Sequence, residues 1–203
     1  MGGSDIYSAS KSCQEIVTRS YYESFFKDKR NIILTTYRAG NVIGGGDYAP
    51  NRLFPDIART LNNKNFINIR NPKSTRPWQH VFDCLNGYLN TTIYCDSKKL
   101  QFSNWNFSPS YKSMSVGKII SLLISKKLID KSKVRFVKNF IKESLHLNLS
   151  NKKVIKLTKW KNKFNFTQTI IETISFYLEI NKNKTKPAVL LKSAQNKIDN
   201  FFY

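Results

Sequence analysis

Asn31-Ile32-Ile33-Leu34-Thr35-Thr36-Tyr37-Arg38-Ala39-Gly40-Asn41-Val42-Ile43-Gly44-Gly45-Gly46-Asp47 is the stretch that decides the fold. Ile32 to Tyr37 is a short apolar, β-branched run of the kind that forms a buried strand. Gly44-Gly45-Gly46-Asp47 breaks it. Upstream, Ser8 to Phe26 sets Ile16, Val17, Tyr21 and Phe25 at helical spacing, and downstream Arg52 to Leu61 reads as a second helix. Helix, strand and helix in succession point to an α/β chain.

The pattern continues outward. Phe66 to Arg70 alternates like a strand, Pro72 to Pro77 is a loop, and Val81 to Tyr94 is a helix with Leu85, Tyr88 and Leu89 on one face. Trp105-Asn106-Phe107 is a short strand ended by Pro109. Val116 to Lys127 is an amphipathic helix, Val134 to Val137 a strand, and Thr167 to Ile180 a helix. The polar, lysine-rich tail beyond Asn181 reads as loose or locally docked.

Composition narrows the function classes. Of 203 residues 40% are hydrophobic and 13% aromatic, enough for a core and against global disorder. No apolar run is long enough for a membrane span, and no basic-then-apolar leader opens the sequence. Cys13, Cys84 and Cys95 are odd in number and lack metal-ligand spacing, which fits reduced cytoplasmic thiols. The net charge of +21 comes from 34 basic and 13 acidic residues. Those charges are scattered and mostly Lys, in a chain also rich in Asn and Ile. They are therefore ascribed to coding bias and solvated faces rather than to a nucleic-acid surface.

Tyr7 and Lys11 stand four apart, which on a helix stacks both on one face. A phenol titrates near ~10, so a base near neutrality needs a shift of roughly three units, about 4 kcal/mol. A neighbouring ammonium supplies part of that by stabilising phenolate. Tyr-x-x-x-Lys by itself is a short motif that arises by chance. Read singly, Arg52 and Arg76 are surface arginines as readily as ligands, Gly44-Gly45-Gly46 is a turn, His80 is a loop or core histidine, and Cys84 is a small core residue.

Taken together the blocks say more. Tyr7-Ser8-Ala9-Ser10-Lys11, then Arg38 to Asp47, resembles the extended short-chain dehydrogenase/reductase family. Arg52-Leu53-Phe54-Pro55-Asp56-Ile57, Ile69-Arg70-Asn71-Pro72, Thr75-Arg76-Pro77-Trp78-Gln79-His80-Val81 and Trp105-Asn106-Phe107-Ser108-Pro109 narrow the resemblance to its CDP-glucose 4,6-dehydratases. The likeness runs from Gly2 to about Tyr177 and is strongest up to Pro109. It implies a lyase that converts CDP-glucose to CDP-4-keto-6-deoxyglucose through bound NAD, in deoxysugar and surface lipopolysaccharide synthesis.

The resemblance also assigns residues. Tyr7 assists hydride transfer, and Lys11 holds the nicotinamide ribose and tunes Tyr7. Val42 lies beside the nicotinamide; Asn41 and Leu53 meet the substrate. Arg52 and Arg76 sit on the diphosphate, which a guanidinium binds bidentately, and Asn106 lies near the nucleotide. No metal is expected. Tyr48 stands where relatives show Trp, and Ser150-Asn151-Lys152-Lys153 replaces a stretch that carries Asp.

The fold so implied is the C-terminal part of an NAD(P)-binding Rossmann-like extended short-chain dehydrogenase/reductase with its small substrate-binding domain. Its glycine-rich N-terminal βαβ half is absent from this sequence. The expected division is 1–47 as a remnant of the dinucleotide-binding domain, 48–180 as the nucleotide-sugar region interleaved with Rossmann elements, and 181–203 as a basic tail. The chain is expected to expose apolar surface and strand edges. It is also expected to be inactive unless a separate N-terminal half partners it. A homodimer in the cytoplasm, with no membrane or nucleic-acid partner, completes the expectation. Two other readings stay open: another nucleotide-sugar epimerase or dehydratase, and a basic binding remnant without catalysis.

Overall fold

A computed structural model describes residues 5–61, 65–138, 146–182 and 186–202. The chain starts with helix α1 (Ile6–Tyr21), whose first turn is closed by Asp5. The Asp5 carboxylate accepts from the Ser8 amide at 2.9 Å and the Ser8 hydroxyl at 2.6 Å. That satisfies one of the donors a helix start leaves bare. A π-helical turn at Tyr22–Phe26 ends this segment.

Strand β1 (Leu34–Ala39) pairs in parallel with β6 (Phe102–Phe107), and β2 (Asn41–Ile43) pairs in parallel with β5 (Trp78–His80). Strand β3 (Ile67–Ile69) pairs in parallel with β8 (Val134–Phe136). Strand β4 (Thr75–Arg76) is antiparallel to β7 (Met114–Ser115). The helices between are α2 (Leu53–Leu61), α3 (Val81–Ser97), α4 (Val116–Ser125), α5 (Lys152–Thr158) and α6 (Phe166–Lys182). Parallel pairs joined through helices are the signature of an α/β fold.

Alternation along β1 sorts its neighbours. Tyr37 turns to one side, where it stacks on Tyr88 of α3 at 4.8 Å and meets Phe107 edge-on. Thr36 and Arg38 turn to the other, where both bond Glu15 of α1. The two helices thus cover opposite faces of β1. The apolar run in the sequence reads as a buried strand. It is half-buried throughout, because its α1 side carries polar groups instead of an apolar seam.

Two apolar clusters hold the fold. Ile57, Ile69, Trp78, Ile119, Leu123, Ile170 and Tyr177 belong to one, around α2, α4 and α6. Cys95, Trp105, Phe107, Val154 and Trp160 form the other, beneath α3 and α5. Helix α3 corrects the expected face: Leu85 and Leu89 are exposed, and the buried positions are Asp83, Cys84, Gly87, Thr91 and Cys95. The reason is close approach. A Cβ at Gly87 would stand 2.7 Å from the Phe107 ring, so α3 meets β6 through small residues and turns its large ones outward.

The tail is helical over Pro187–Phe202 (α7). Phe201 is buried against Phe82 and Phe164, with ring centroids at 5.4 and 5.2 Å, and Lys197 pairs with Glu172 of α6. The three cysteines are free, Cys13 exposed and the other two buried. No helix among the described residues is long and apolar enough to cross a membrane.

Candidate active-site cleft

A cleft of about 760 Å³ opens where β1 gives way to β2. Gly40 makes the crossing: its amide donates to the Phe107 carbonyl at 3.0 Å, and the Asn41 amide donates to the Pro77 carbonyl at 3.1 Å. A Cβ at Gly40 would lie 2.6 Å from the Pro77 ring and 2.7 Å from its carbonyl, so only glycine lets these loops touch. The β2–β5 register, Asn41 opposite Trp78, then carries Asn41 to the strand that follows Arg76.

Tyr7, Asn41, Val42, Arg52, Leu53 and Arg76 all line this cleft. Tyr7 reaches it from the first turn of α1 with its side chain largely open to solvent. The Lys11 ammonium lies 5.7 Å from the centroid of the Tyr7 ring and bonds Gln14 at 3.3 Å. Lys11 itself is not among the lining residues. Arg52 comes from the residue before α2 and bonds the Asp47 carboxylate at 3.4 Å. Asp47 also accepts the Ala49 amide at 2.9 Å, and its carbonyl takes the Tyr177 hydroxyl at 2.6 Å, which pins the glycine turn to α6. Burial of Tyr177 pushes its phenol up to about 12, so it stays a neutral donor.

The Arg76 side chain donates to the carbonyl of Thr75 at 2.9 Å. Its strand is kept in place by Met114–Ser115, with the Trp78 indole donating to the Met114 carbonyl at 2.9 Å. Three arginines, Arg52, Arg70 and Arg76, and two aspartates, Asp47 and Asp56, are the charged residues of the lining. That balance suits an anionic ligand, since guanidinium groups match phosphate oxygens in pairs.

Asn106 sits elsewhere. It lies on β6 opposite Arg38, and its side-chain oxygen accepts from the Arg38 guanidinium at 3.2 Å. It is outside the cleft lining, so the structure does not bring it to the other candidate residues. Three contributors escaped the sequence reading. Leu147 closes the wall beside Arg76 because His146 bridges to Thr75, a long-range pairing with no local signal. Arg70 lines the cleft from the end of β3. Glu15 binds Arg38, and its place four residues beyond Lys11 was the available clue.

His80 and Asp83 flank the far side of β5. His80 is buried between Phe82 and Phe164, and burial, then the charge of Lys197, lowers its imidazole to about 4. It is a neutral capping acceptor for the Phe82 amide at 3.3 Å. Burial raises the Asp83 carboxyl to about 6, against the amides of Lys163 and Phe164 that it accepts at 2.6 and 3.3 Å. Both residues are structural, tying α3 to the loop before α6. No group of three metal-ligating side chains occurs among the described residues.

Comparison with known proteins places this geometry. The chain is 35% identical over 186 residues to a CDP-glucose 4,6-dehydratase of Salmonella typhimurium, covering 87% of this chain and 51% of that protein. The chain is homologous to a CDP-glucose 4,6-dehydratase. The match falls on the C-terminal portion of that protein, and the chain spans about half its length. No family model matches. A dTDP-glucose 4,6-dehydratase of Bacillus anthracis, solved with NAD, superposes with a TM-score of 0.69 at 17% identity, over 92% of this chain and 56% of that one. A UDP-glucuronic acid 4-epimerase of Bacillus cereus, solved with UDP-glucuronic acid and NAD, gives 0.73 at 16% identity, over 86% and 52%. A dTDP-glucose 4,6-dehydratase of Streptomyces venezuelae gives 0.71 at 18%, over 89% and 53%. The fold is therefore the one that these dehydratases and the epimerase share, over about half of their length.

Proposed function

We propose that this chain carries the substrate cleft and the tyrosine–lysine pair of a CDP-glucose 4,6-dehydratase, forming CDP-4-keto-6-deoxyglucose. The carrying observation is the convergence of Tyr7, Asn41, Arg52 and Arg76 on one cleft in a chain homologous to such an enzyme. Arg52 and Arg76 hold the diphosphate between two guanidinium groups. Asn41 offers an amide to a sugar hydroxyl, and Leu53 supplies an apolar wall. Tyr7 lines the cleft from its mouth, where its phenol takes the proton of the sugar C4 hydroxyl as that carbon becomes the ketone of the product. The Lys11 ammonium lies 5.7 Å from the centre of the Tyr7 ring, one helical turn along the same face.

NAD is the cofactor of this reading, and when bound it supplies reversible hydride acceptance. The residues present fit its nicotinamide end. Val42 shows an apolar edge to the cleft, 39% exposed, and Tyr7 and Lys11 offer a hydroxyl and an ammonium to a ribose. The division in this reading assigns 1–47, with α1, β1 and β2, to the cofactor side, 48–180 to the nucleotide sugar, and 181–203 to a basic tail. A homodimer and a separate chain bearing the dinucleotide cradle are the partners this reading allows.

The test is product chemistry. Purified chain, CDP-glucose and NAD are incubated with and without the N-terminal half of the Salmonella typhimurium relative, and the 4-keto product is read by its absorbance in alkali. Product in either arm supports the proposal; no product in both arms overturns it. The epimerase likeness favours a second reading, a nucleotide-sugar 4-epimerase. Recovery of an epimeric sugar with no alkali-absorbing product would select it.

A further inference from the structure

Tyr7, Lys11 and Glu15 recur every four residues along α1, so they form one stripe on the helix. The far end of that stripe is fixed. The Glu15 carboxylate accepts from Arg38 through Nε at 2.8 Å and Nη2 at 2.7 Å, and from the Thr36 hydroxyl at 3.0 Å. The third guanidinium nitrogen, Nη1, donates to Asn106 at 3.2 Å. The Arg38 guanidinium holds the Glu15 carboxyl below its ordinary range, and hydrogen bonding from Thr36 adds to it. A bidentate arginine–carboxylate pair is the most directional ion pair that side chains form.

This pair is the directional contact between α1 and β1. No residue of α1 is buried. Ile16, Val17 and Tyr21 are all exposed, and Tyr22, stacked on Phe102 at 4.9 Å, is in the turn beyond the helix. The half-buried face of α1 is small and polar, Ser8, Ala9, Ser12 and Thr18 beside Glu15, so three directional hydrogen bonds to one carboxylate act on the roll of the helix. A side-chain tip lies ~6 Å from a helix axis, so a roll of ~10° moves it by ~1 Å. A misplacement of ~1 Å at a reacting centre can cost ~10²-fold in rate.

We infer that Glu15 is a positioning residue for Tyr7: its pair with Arg38, braced by Thr36 and Asn106, sets where the Tyr7 hydroxyl stands over the cleft. The same network makes Asn106 a brace for Arg38, which accounts for its place outside the cleft. The inference rests on the role of Tyr7 proposed above, and its test separates the two.

Tyr7 is replaced by 3-fluorotyrosine and its fluorine resonance is recorded in the otherwise unaltered chain, in Glu15→Gln and in Glu15→Asp. Glu23→Gln serves as control, since Glu23 pairs with exposed Arg19 and Lys27 in the turn just beyond α1. Circular dichroism confirms that each variant is folded. The expected result is a shifted or broadened Tyr7 resonance in Glu15→Gln, a partial return in Glu15→Asp, and no change in Glu23→Gln. Turnover of CDP-glucose should fall on the order of 10- to 100-fold in Glu15→Gln with KM unchanged. A Tyr7 resonance that coincides in folded Glu15→Gln and the unaltered chain overturns the inference. If the unaltered chain yields no product either alone or with the N-terminal half of the Salmonella typhimurium relative, the functional reading fails, yet the resonance still decides the role of Glu15. Where Glu15→Gln does not fold, Glu15→Asp against Glu23→Gln decides it alone.

Discussion

Tyr7 is open to solvent at the edge of the cleft, so its phenol ring contributes little to stability. Tyr7→Phe removes one oxygen and keeps the ring beside Lys11. On the proposed role, kcat should drop by about 10²- to 10⁴-fold, the usual worth of a placed acid–base group. Steady-state kinetics on CDP-glucose checks this, with KM expected to hold and the melting midpoint expected to stay put.

His80 and Asp83 make a different prediction at the same scale. The imidazole is lowered from its ordinary 6.5 to about 4, so its contribution is complete above 6.5 and is lost as pH falls toward 4. The carboxyl is raised from 3.8 to about 6, so its contribution is complete below 3.8 and is lost as pH rises through 6. Between about 4 and 6 the two slopes oppose each other. Denaturant titrations across that window should show stability rising with pH in Asp83→Asn and falling with pH in His80→Gln. Parallel curves for the two variants would contradict the assignment.

At the scale of elements, α3 and β6 meet closely at Gly87. Alanine is the better helix former by ~1 kcal/mol. At Gly87 its methyl would press on Phe107, whose ring is already held edge-on by Tyr37, Tyr88 and Trp160. Overpacking of that kind costs ~1–3 kcal/mol, so the clash outweighs the propensity gain. Gly87→Ala should lower the thermal midpoint by circular dichroism, and a raised midpoint would refute the close packing. The same seam explains a misreading. Leu85 and Leu89 are the large apolar residues of α3, and periodicity alone puts them inward. The inward face is chosen by how near β6 comes, which only Phe107 and Trp160 reveal.

Other elements were legible to different degrees. The helices α1, α2, α4 and α6 and the strands β3, β6 and β8 stand where periodicity placed them, because their spacing is local. The two-residue strand Thr75–Arg76 fell inside an expected loop, since its partner Met114–Ser115 is distant in sequence. The docked end of α7 depends on Phe82 and Phe164 meeting Phe201, a contact no stretch of the tail encodes.

For the molecule as a whole, the blocks that carry the family resemblance, apart from Trp105–Pro109, contribute to the cleft. Tyr7, Asn41–Gly45, Arg52–Asp56, Ile67–Asn71 and Arg76 come from five separate stretches and line one cavity. Block order was readable from the chain; the Glu15–Arg38–Asn106 brace was not, because it joins α1, β1 and β6 through side chains alone. The cleft's arginines also tie function to the charge of the ligand. A hydrogen bond to a charged group is worth ~1.5–3 kcal/mol, roughly ten- to a hundredfold in affinity.

The most direct measurement is calorimetric titration of CDP into the purified chain, compared with Arg52→Ala and Arg76→Ala. The proposed cleft predicts saturable binding that weakens about ten- to a hundredfold in each variant. CDP that binds all three proteins equally, or none of them, would contradict it.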